Sequence, residues 1–163
     1  MSKITQIIMG ILALFLCSSN IYANEVINAA NAYNEAINNI KHKAYEYHTA
    51  VVQKKAAYKV LKVAYKDTIT KANALINQLE KSKATNQALT PQAIQTIESI
   101  KKFTTEIMAI VKKEKLCRRA NKFGYIELAL IISEELDKDK KNLAQTAQDS
   151  LIATNKFILA LKK

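Results

Sequence analysis

The sequence predicts an all-α protein, namely an elongated, antiparallel three- to four-helix bundle with coiled-coil-like seams, preceded by a signal peptide. The chain has 163 residues but only two Gly and one Pro. Average usage would give roughly eleven and eight, so the turns of a many-stranded sheet are missing. Apolar residues make up 49% of the chain and charged residues 24%, an ordinary globular balance. Apolar positions also recur at helical spacing over long stretches, which favours few and long helices.

Residues 1–23 have the three parts of a signal peptide: a basic start, an apolar stretch at residues 7–17, and a small, polar end at Ala23. We expect cleavage after Ala23. The apolar stretch is shorter than the about 20 residues that a spanning helix needs. Retention as an anchor and lipid attachment at Cys17 stay open as alternatives. The large Leu16 in front of Cys17 disfavours lipidation, because that processing prefers a small residue there.

The expected mature protein, residues 24–163, is a single helical-bundle domain without an internal disulfide. Removing residues 1–23 takes away one Lys and no acid, so the formal charge falls only from +11 to +10. Cys117 is then the sole thiol, which excludes an intrachain disulfide and leaves an intermolecular one open. A chain of this size buries about two-thirds of its unfolded surface. One core can therefore form without a metal or a disulfide.

The first helical segment, about residues 25–81, has the longest apolar pattern and contains no Gly or Pro. Apolar or aromatic residues fill fourteen of sixteen positions spaced alternately by four and three from Val26 to Leu79, which is a helical seam. Unbroken, this helix would be roughly 85 Å long. A bend is expected where the seam weakens, at residues 38–42 or 53–55. A straight rod and a folded pair both stay open.

The second helix is predicted at about residues 91–121, after a polar break at residues 82–90. Thr90 is expected to cap its start, with Pro91 at the first helical position, where no hydrogen bond is lost. Gly124 is expected to end it in the left-handed conformation.

The third helix, about residues 125–162, is apolar on almost every side from Ile126 to Ile132. It then passes through the most charged window of the chain, residues 133–142. We interpret this window as a continuous, solvent-exposed helix with opposite charges at three- and four-residue spacing. A surface connection between two helices is the alternative.

Residue types that carry catalysis or bind metals are sparse. His42 and His48 are six positions apart, about 120° short of two helical turns, so they do not share a face as a metal-binding pair would. Cys117 belongs to no Cys-x-x-Cys motif, and there is no Gly-rich phosphate loop. The only carboxylate cluster, residues 134–139, is interleaved with Lys and is typical of a solvated surface. We therefore expect no enzyme, no metal and no cofactor.

Basic residues have a clearer pattern. Residues 41–71 and residues 101–122 each carry eight basic residues and two acids, a local charge of +6. Such patches either bind an acidic partner or keep a helical bundle soluble. The candidate interaction patch consists of Lys55, Lys59, Lys62, Lys66, Lys112, Lys113, Lys115, Arg118 and Arg119.

The sequence thus predicts an exported, non-enzymatic helical interaction protein of a bacterial envelope, periplasmic, surface-exposed or secreted. A surface adhesin and a small component of a secretion or conjugation apparatus both have this build. The partner would be a protein or an acidic envelope surface, and a homo-oligomer is open. Nucleic acid is disfavoured, because the tyrosines of the seam are expected to be buried rather than free to stack on bases.

Two other classes of protein stay open on the same features. A periplasmic holdase chaperone would suit the small size, high charge and long helices. A ligand carrier would use the bundle interior and predicts a cavity among Tyr33, Tyr47, Tyr58 and Tyr65.

Overall fold

The computed structural model describes residues 3–50, 54–85 and 87–162, with side chains described in residues 21–50, 55–83 and 87–162. Within these residues the protein is all-helical and has no strands, as predicted. Its elements are α1 (Lys3–Thr49), α2 (Lys54–Thr85), a single 3₁₀ turn (Gln87–Leu89), α3 (Thr90–Lys122) and α4 (Ile126–Leu161). The predicted cleavage site and Cys17 belong to α1, but the side chains of residues 1–20 lie outside the described part.

The helices form an antiparallel four-helix bundle in which neighbours in sequence pack side by side. The hydroxyl of Tyr22 donates to the carbonyl of Gln78 near one end of the α1–α2 pair. Farther along, Thr68 Oγ1 donates to the carbonyl of Ala36 at 3.2 Å. The residue numbers therefore run in opposite directions along the two helices.

Helix α4 closes the bundle against α1, and α2 packs on α3. The buried hydroxyls of Tyr33 and Ser150 lie 2.8 Å apart and join α1 to α4. Arg118 on α3 donates to the Tyr58 hydroxyl on α2 at 2.8 Å. The α1–α2 and α3–α4 pairs have the most extensive interfaces, so the bundle is built from two helical hairpins.

Of the two alternatives for residues 25–81, the structure shows the folded pair and not the straight rod, because the chain breaks between Thr49 and Lys54. The break lies beside residues 53–55, one of the two predicted weak points, and not at residues 38–42. Three β-branched residues, Thr49, Val51 and Val52, adjoin it, and such residues lose rotamer freedom in a helix. Folding back also lets the two halves of the seam cover each other.

The residues that were predicted to begin and end the second helix, Thr90 and Gly124, lie close to the observed ends of α3. Helix α2 continues to Thr85, so the polar break is shorter than predicted. Thr90 is the first residue of α3 and not its cap, since Leu89 takes the capping position. Gly124 has φ +77°, and the N–H of Tyr125 donates to the carbonyl of Ala120 at 2.9 Å. This is the Schellman arrangement that ends a helix on a left-handed glycine.

The predicted seams form the core. From Val26 to Ile40 and again from Tyr58 to Leu79, every seam position is buried. On α3 the residues at helical spacing from Ala93 to Ile107 are buried, whereas Ile94, one position from that row, is 41% exposed. The charged window at residues 133–142 is helical throughout, which confirms the continuous helix.

Candidate functional site

The largest concentration of exposed apolar side chains lies at the turn between α3 and α4. We call residues 115–131 the hairpin tip. Phe123 is 66% exposed and Ile126 is 67% exposed, although residues of these types are usually buried. The exposed large apolar residues of the tip are Leu116, Phe123, Tyr125, Ile126, Leu128, Leu130 and Ile131.

The hairpin tip is exposed to solvent because the α1–α2 hairpin does not cover it. Tyr47 and Tyr58, close to the turn between α1 and α2, contact the other hairpin around Glu114 and Leu136. The segment from Ile126 to Leu136 is about 15 Å long at 1.5 Å per residue. On α4 the common core begins only at Ile132 and Leu136. Between residues 121 and 131, Ala129 is the only buried residue.

The first two turns of α4 are apolar around nearly the whole helix. At about 100° per residue, Leu130, Ile131 and Leu128 lie about 40°, 140° and 200° around the axis from Ile126. Ala129 faces α3, where its carbonyl accepts a hydrogen bond from Cys117 Sγ at 3.5 Å. Glu127 is the only acid of the tip. A helix that is apolar all round is normally enclosed on all sides.

Four basic residues accompany the apolar ones, namely Lys115, Arg118, Arg119 and Lys122. Arg118 is held by the bundle, since its guanidinium lies 4.0 Å from the centre of the Tyr58 ring and hydrogen-bonds the hydroxyl of that residue. The other three make no ion pair within the described residues and are exposed. With Glu127 as the only acid, the hairpin tip has a net charge of +3.

The structure brings the two predicted basic stretches to the same end of neighbouring helices, because Arg118 contacts Tyr58. Lys113 is not free, since it forms ion pairs with Glu135 at 3.0 Å and Asp139 at 2.8 Å on α4. These hydrogen bonds raise the pKa of Lys113. The remaining patch residues, all exposed, are Lys55, Lys59, Lys62, Lys66, Lys112, Lys115 and Arg119.

A buried polar cluster lies between the hairpin tip and the core. Glu114 is 5% exposed, and neither of its carboxylate oxygens has a hydrogen-bond partner among the described residues. Lys140 Nζ lies 3.6 Å from Glu114 Oε1, an ion pair longer than a hydrogen bond. Burial, and then the negative charge of Glu114, raise the pKa of Tyr58 to about 12. The cluster is a charged link among α2, α3 and α4.

A pocket of about 260 Å³ opens to the surface between helices of the bundle. Tyr47 and Tyr65 line it with aliphatic core residues, and the exposed Lys41 and His48 lie at its edge. Tyr58 lines a separate cavity of about 120 Å³ beside Glu114. Tyr33 lines neither and is hydrogen-bonded to Ser150. The cavity predicted among four tyrosines therefore involves two of them.

The remaining candidate residues are placed as follows. Cys117 is half-buried between α3 and α4, and its intermolecular disulfide stays a prediction. His42 Nε2 lies 3.0 Å from Glu46 on the same helix, and His48 is exposed. Within the described residues no three His, Cys, Asp or Glu side chains are grouped to hold a metal ion.

The hairpin tip was not recognised from the sequence as a site. The signal in the sequence was the apolar run from Ile126 to Ile132 directly after the Gly124 turn, and such a run is typical of a buried helix.

Comparisons with protein-family models, with curated proteins and with solved structures find no significant match to the chain. None of the helices among the described residues contains an apolar stretch that could span a bilayer.

Proposed function

We propose that the protein is an exported, non-enzymatic interaction protein of a bacterial envelope and that it docks through its hairpin tip. The observation that carries this proposal is that seven of the fifteen exposed large apolar side chains among the described residues lie together at one end of the bundle. Contiguous exposed apolar surface on a soluble domain is typical of an interaction site. The coiled-coil-like seams serve to build the rigid body that presents this tip.

The charge of the tip supports an acidic partner. Lys115, Arg119 and Lys122 are exposed beside the apolar residues and lack ion pairs among the described residues. A second copy docked tip to tip would bring two surfaces of net charge +3 together, which is unfavourable. An envelope protein or lipid surface of negative charge would not have this cost.

Export is the part of the proposal that rests on residues 1–23. Mass spectrometry of the protein from its native envelope tests it. Asn24 at the N-terminus is the expected result, whereas an acylated Cys17 would place the protein on a membrane face. A retained Met1 would contradict processing.

Cell fractionation with two matched double variants tests the docking site. Ile126→Ser/Leu130→Ser changes two exposed residues of the tip, and Ile152→Ser/Leu159→Ser changes two exposed residues of α4 away from it. Both proteins are expected to keep the wild-type melting temperature, because none of the four side chains is buried. The tip variant should move from the envelope fraction to the soluble fraction, and the control should not. Equal retention of both variants would contradict the proposal.

A ligand carrier is a second candidate, favoured by the 260 Å³ cavity lined by Tyr47 and Tyr65. Native mass spectrometry of the purified protein tests it. A co-purified small molecule that is lost in Ala147→Phe, which fills the cavity wall, would support a carrier. A protein of bare-chain mass would count against it.

A further inference from the structure

Resting on the proposed function, we infer that the partner of the hairpin tip is the surface of an anionic lipid bilayer, into which the apolar side chains of the tip insert. Three features of the tip distinguish a bilayer from a protein groove or a second copy. They are the arrangement of the apolar side chains around α4, the types of the residues at the turn, and the position of the basic residues.

The apolar side chains around the first turns of α4 need an apolar environment on more than one side of the helix. A helix that docks in a protein groove presents one apolar face, with anchors at three- and four-residue spacing. Here Leu128 and Ile131 point away from Ile126 and Leu130, and all four are at least half exposed. One groove cannot cover both sides of the helix. The acyl-chain boundary of a bilayer surrounds whatever enters it.

The turn itself carries two exposed aromatic side chains, Phe123 and Tyr125, on either side of Gly124. Tyrosine is enriched at the boundary between headgroups and hydrocarbon, where its ring is apolar and its hydroxyl meets water. Phe is among the residues that bury the apolar face of interfacial segments. The foremost part of the tip therefore has the residue types that suit shallow insertion.

The basic residues lie behind the aromatic turn, on the last two turns of α3. Cys117 of α3 contacts Ala129 of α4, so Lys115 and Arg119 lie at about the depth of the first two turns of α4. Their long side chains, and that of Lys122, would extend to the headgroups while the apolar side chains enter the bilayer. Each basic residue near an anionic leaflet adds to binding. The same charges disfavour a second copy, for the reason given above.

The chain has no Trp, so Phe123→Trp provides a single fluorescent reporter on the tip. Leu159→Trp, also at an exposed position but near the end of α4, is the matched control. Both are purified from the exporting cells and mixed with vesicles of phosphatidylglycerol and phosphatidylcholine, or of phosphatidylcholine alone. We expect Trp emission of the tip reporter to shift to the blue, and acrylamide quenching to fall, with the anionic vesicles only. The control reporter should not respond.

Charge is tested by adding Arg119→Gln/Lys122→Gln to the tip reporter, which should weaken vesicle binding about ten- to thirtyfold at low salt. An unresponsive tip reporter, or an equal response of the control, would overturn the inference. The Trp emission of the tip reporter could stay unchanged with vesicles while Ile126→Ser/Leu130→Ser still releases the protein from the envelope in cells. That result would overturn the inference but leave the proposed function standing, with a protein as the partner. A blue shift without vesicles, with dimers in sedimentation, would assign the tip to a second copy and overturn the inference.

Discussion

At the scale of single residues, the buried carboxylate of Glu114 needs a positively charged partner within the bundle. It is 5% exposed, and Lys140, at 3.6 Å, forms its only ion pair among the described residues. The half-buried Lys140 also lies 5.7 Å from the centre of the Tyr47 ring. Removing one member of a buried pair leaves an uncompensated charge, which is more costly than removing both.

We therefore predict that Lys140→Met lowers the free energy of unfolding by about 1–3 kcal/mol. Glu114→Gln/Lys140→Met should recover most of this loss, because no buried charge remains. Lys138→Met, an exposed position in the same helix, is the control and should leave stability unchanged. Urea unfolding followed by circular dichroism measures all three. If the double variant has a lower free energy of unfolding than Lys140→Met, Lys140 does not stabilise the protein through its ion pair with Glu114.

Ionisation of the Tyr58 hydroxyl makes the free energy of unfolding depend on pH in the alkaline range. Its pKa is raised from 10.0 to about 12, so the folded protein holds the proton more tightly than the unfolded chain does. The corresponding stability is complete below pH 10 and is lost as the pH rises from 10 to 12. In Tyr58→Phe the free energy of unfolding should fall less steeply over that interval than in the wild type. Parallel curves from urea unfolding at several pH values would contradict the assignment.

At the scale of elements, the apolar seams were sufficient to predict which faces pack, because burial follows helical periodicity. They left two places for a break in the first segment, residues 38–42 and 53–55, because neither Gly nor Pro marks one of them; the break between Thr49 and Lys54 lies beside the second. The charged window of α4 was predicted to be helical, but its pairing with Lys113 depends on how α3 and α4 align. That alignment is a property of the packed bundle and is not encoded in either helix alone.

The α3–α4 turn that presents the tip depends on Gly124. Its φ of +77° is unfavourable for L-residues with a side chain, and a Cβ there would meet no atom within 4 Å. Gly124→Ala should therefore lose about 1 kcal/mol of stability through backbone strain alone. Gly124→Asn should lose less, because Asn tolerates this conformation better. Thermal unfolding compares them, and an alanine variant as stable as the wild type would argue against a left-handed turn.

At the scale of the whole molecule, the candidate site arises from the relative lengths of two hairpins. The sequence reveals the apolar run from Ile126 to Ile132, and by composition alone that run resembles a core segment. Its exposure follows from the point at which α1 and α2 turn back, which leaves the α3–α4 end uncovered. The basic residues were identified from the sequence, yet two of the nine, Lys113 and Arg118, are engaged within the bundle.

In the proposed function the hairpin tip meets the envelope, and the exposed lysines of α2 (Lys55, Lys59, Lys62 and Lys66) and the far end of α4 do not. Photo-crosslinking in living cells tests it directly, with the reactive residue placed in turn at Ile126, Lys62 and Leu159, which are all exposed. We expect crosslinked lipid or protein adducts from position 126 and none above background from positions 62 and 159. Adducts that form mainly at position 62 or 159, with position 126 silent, would contradict it.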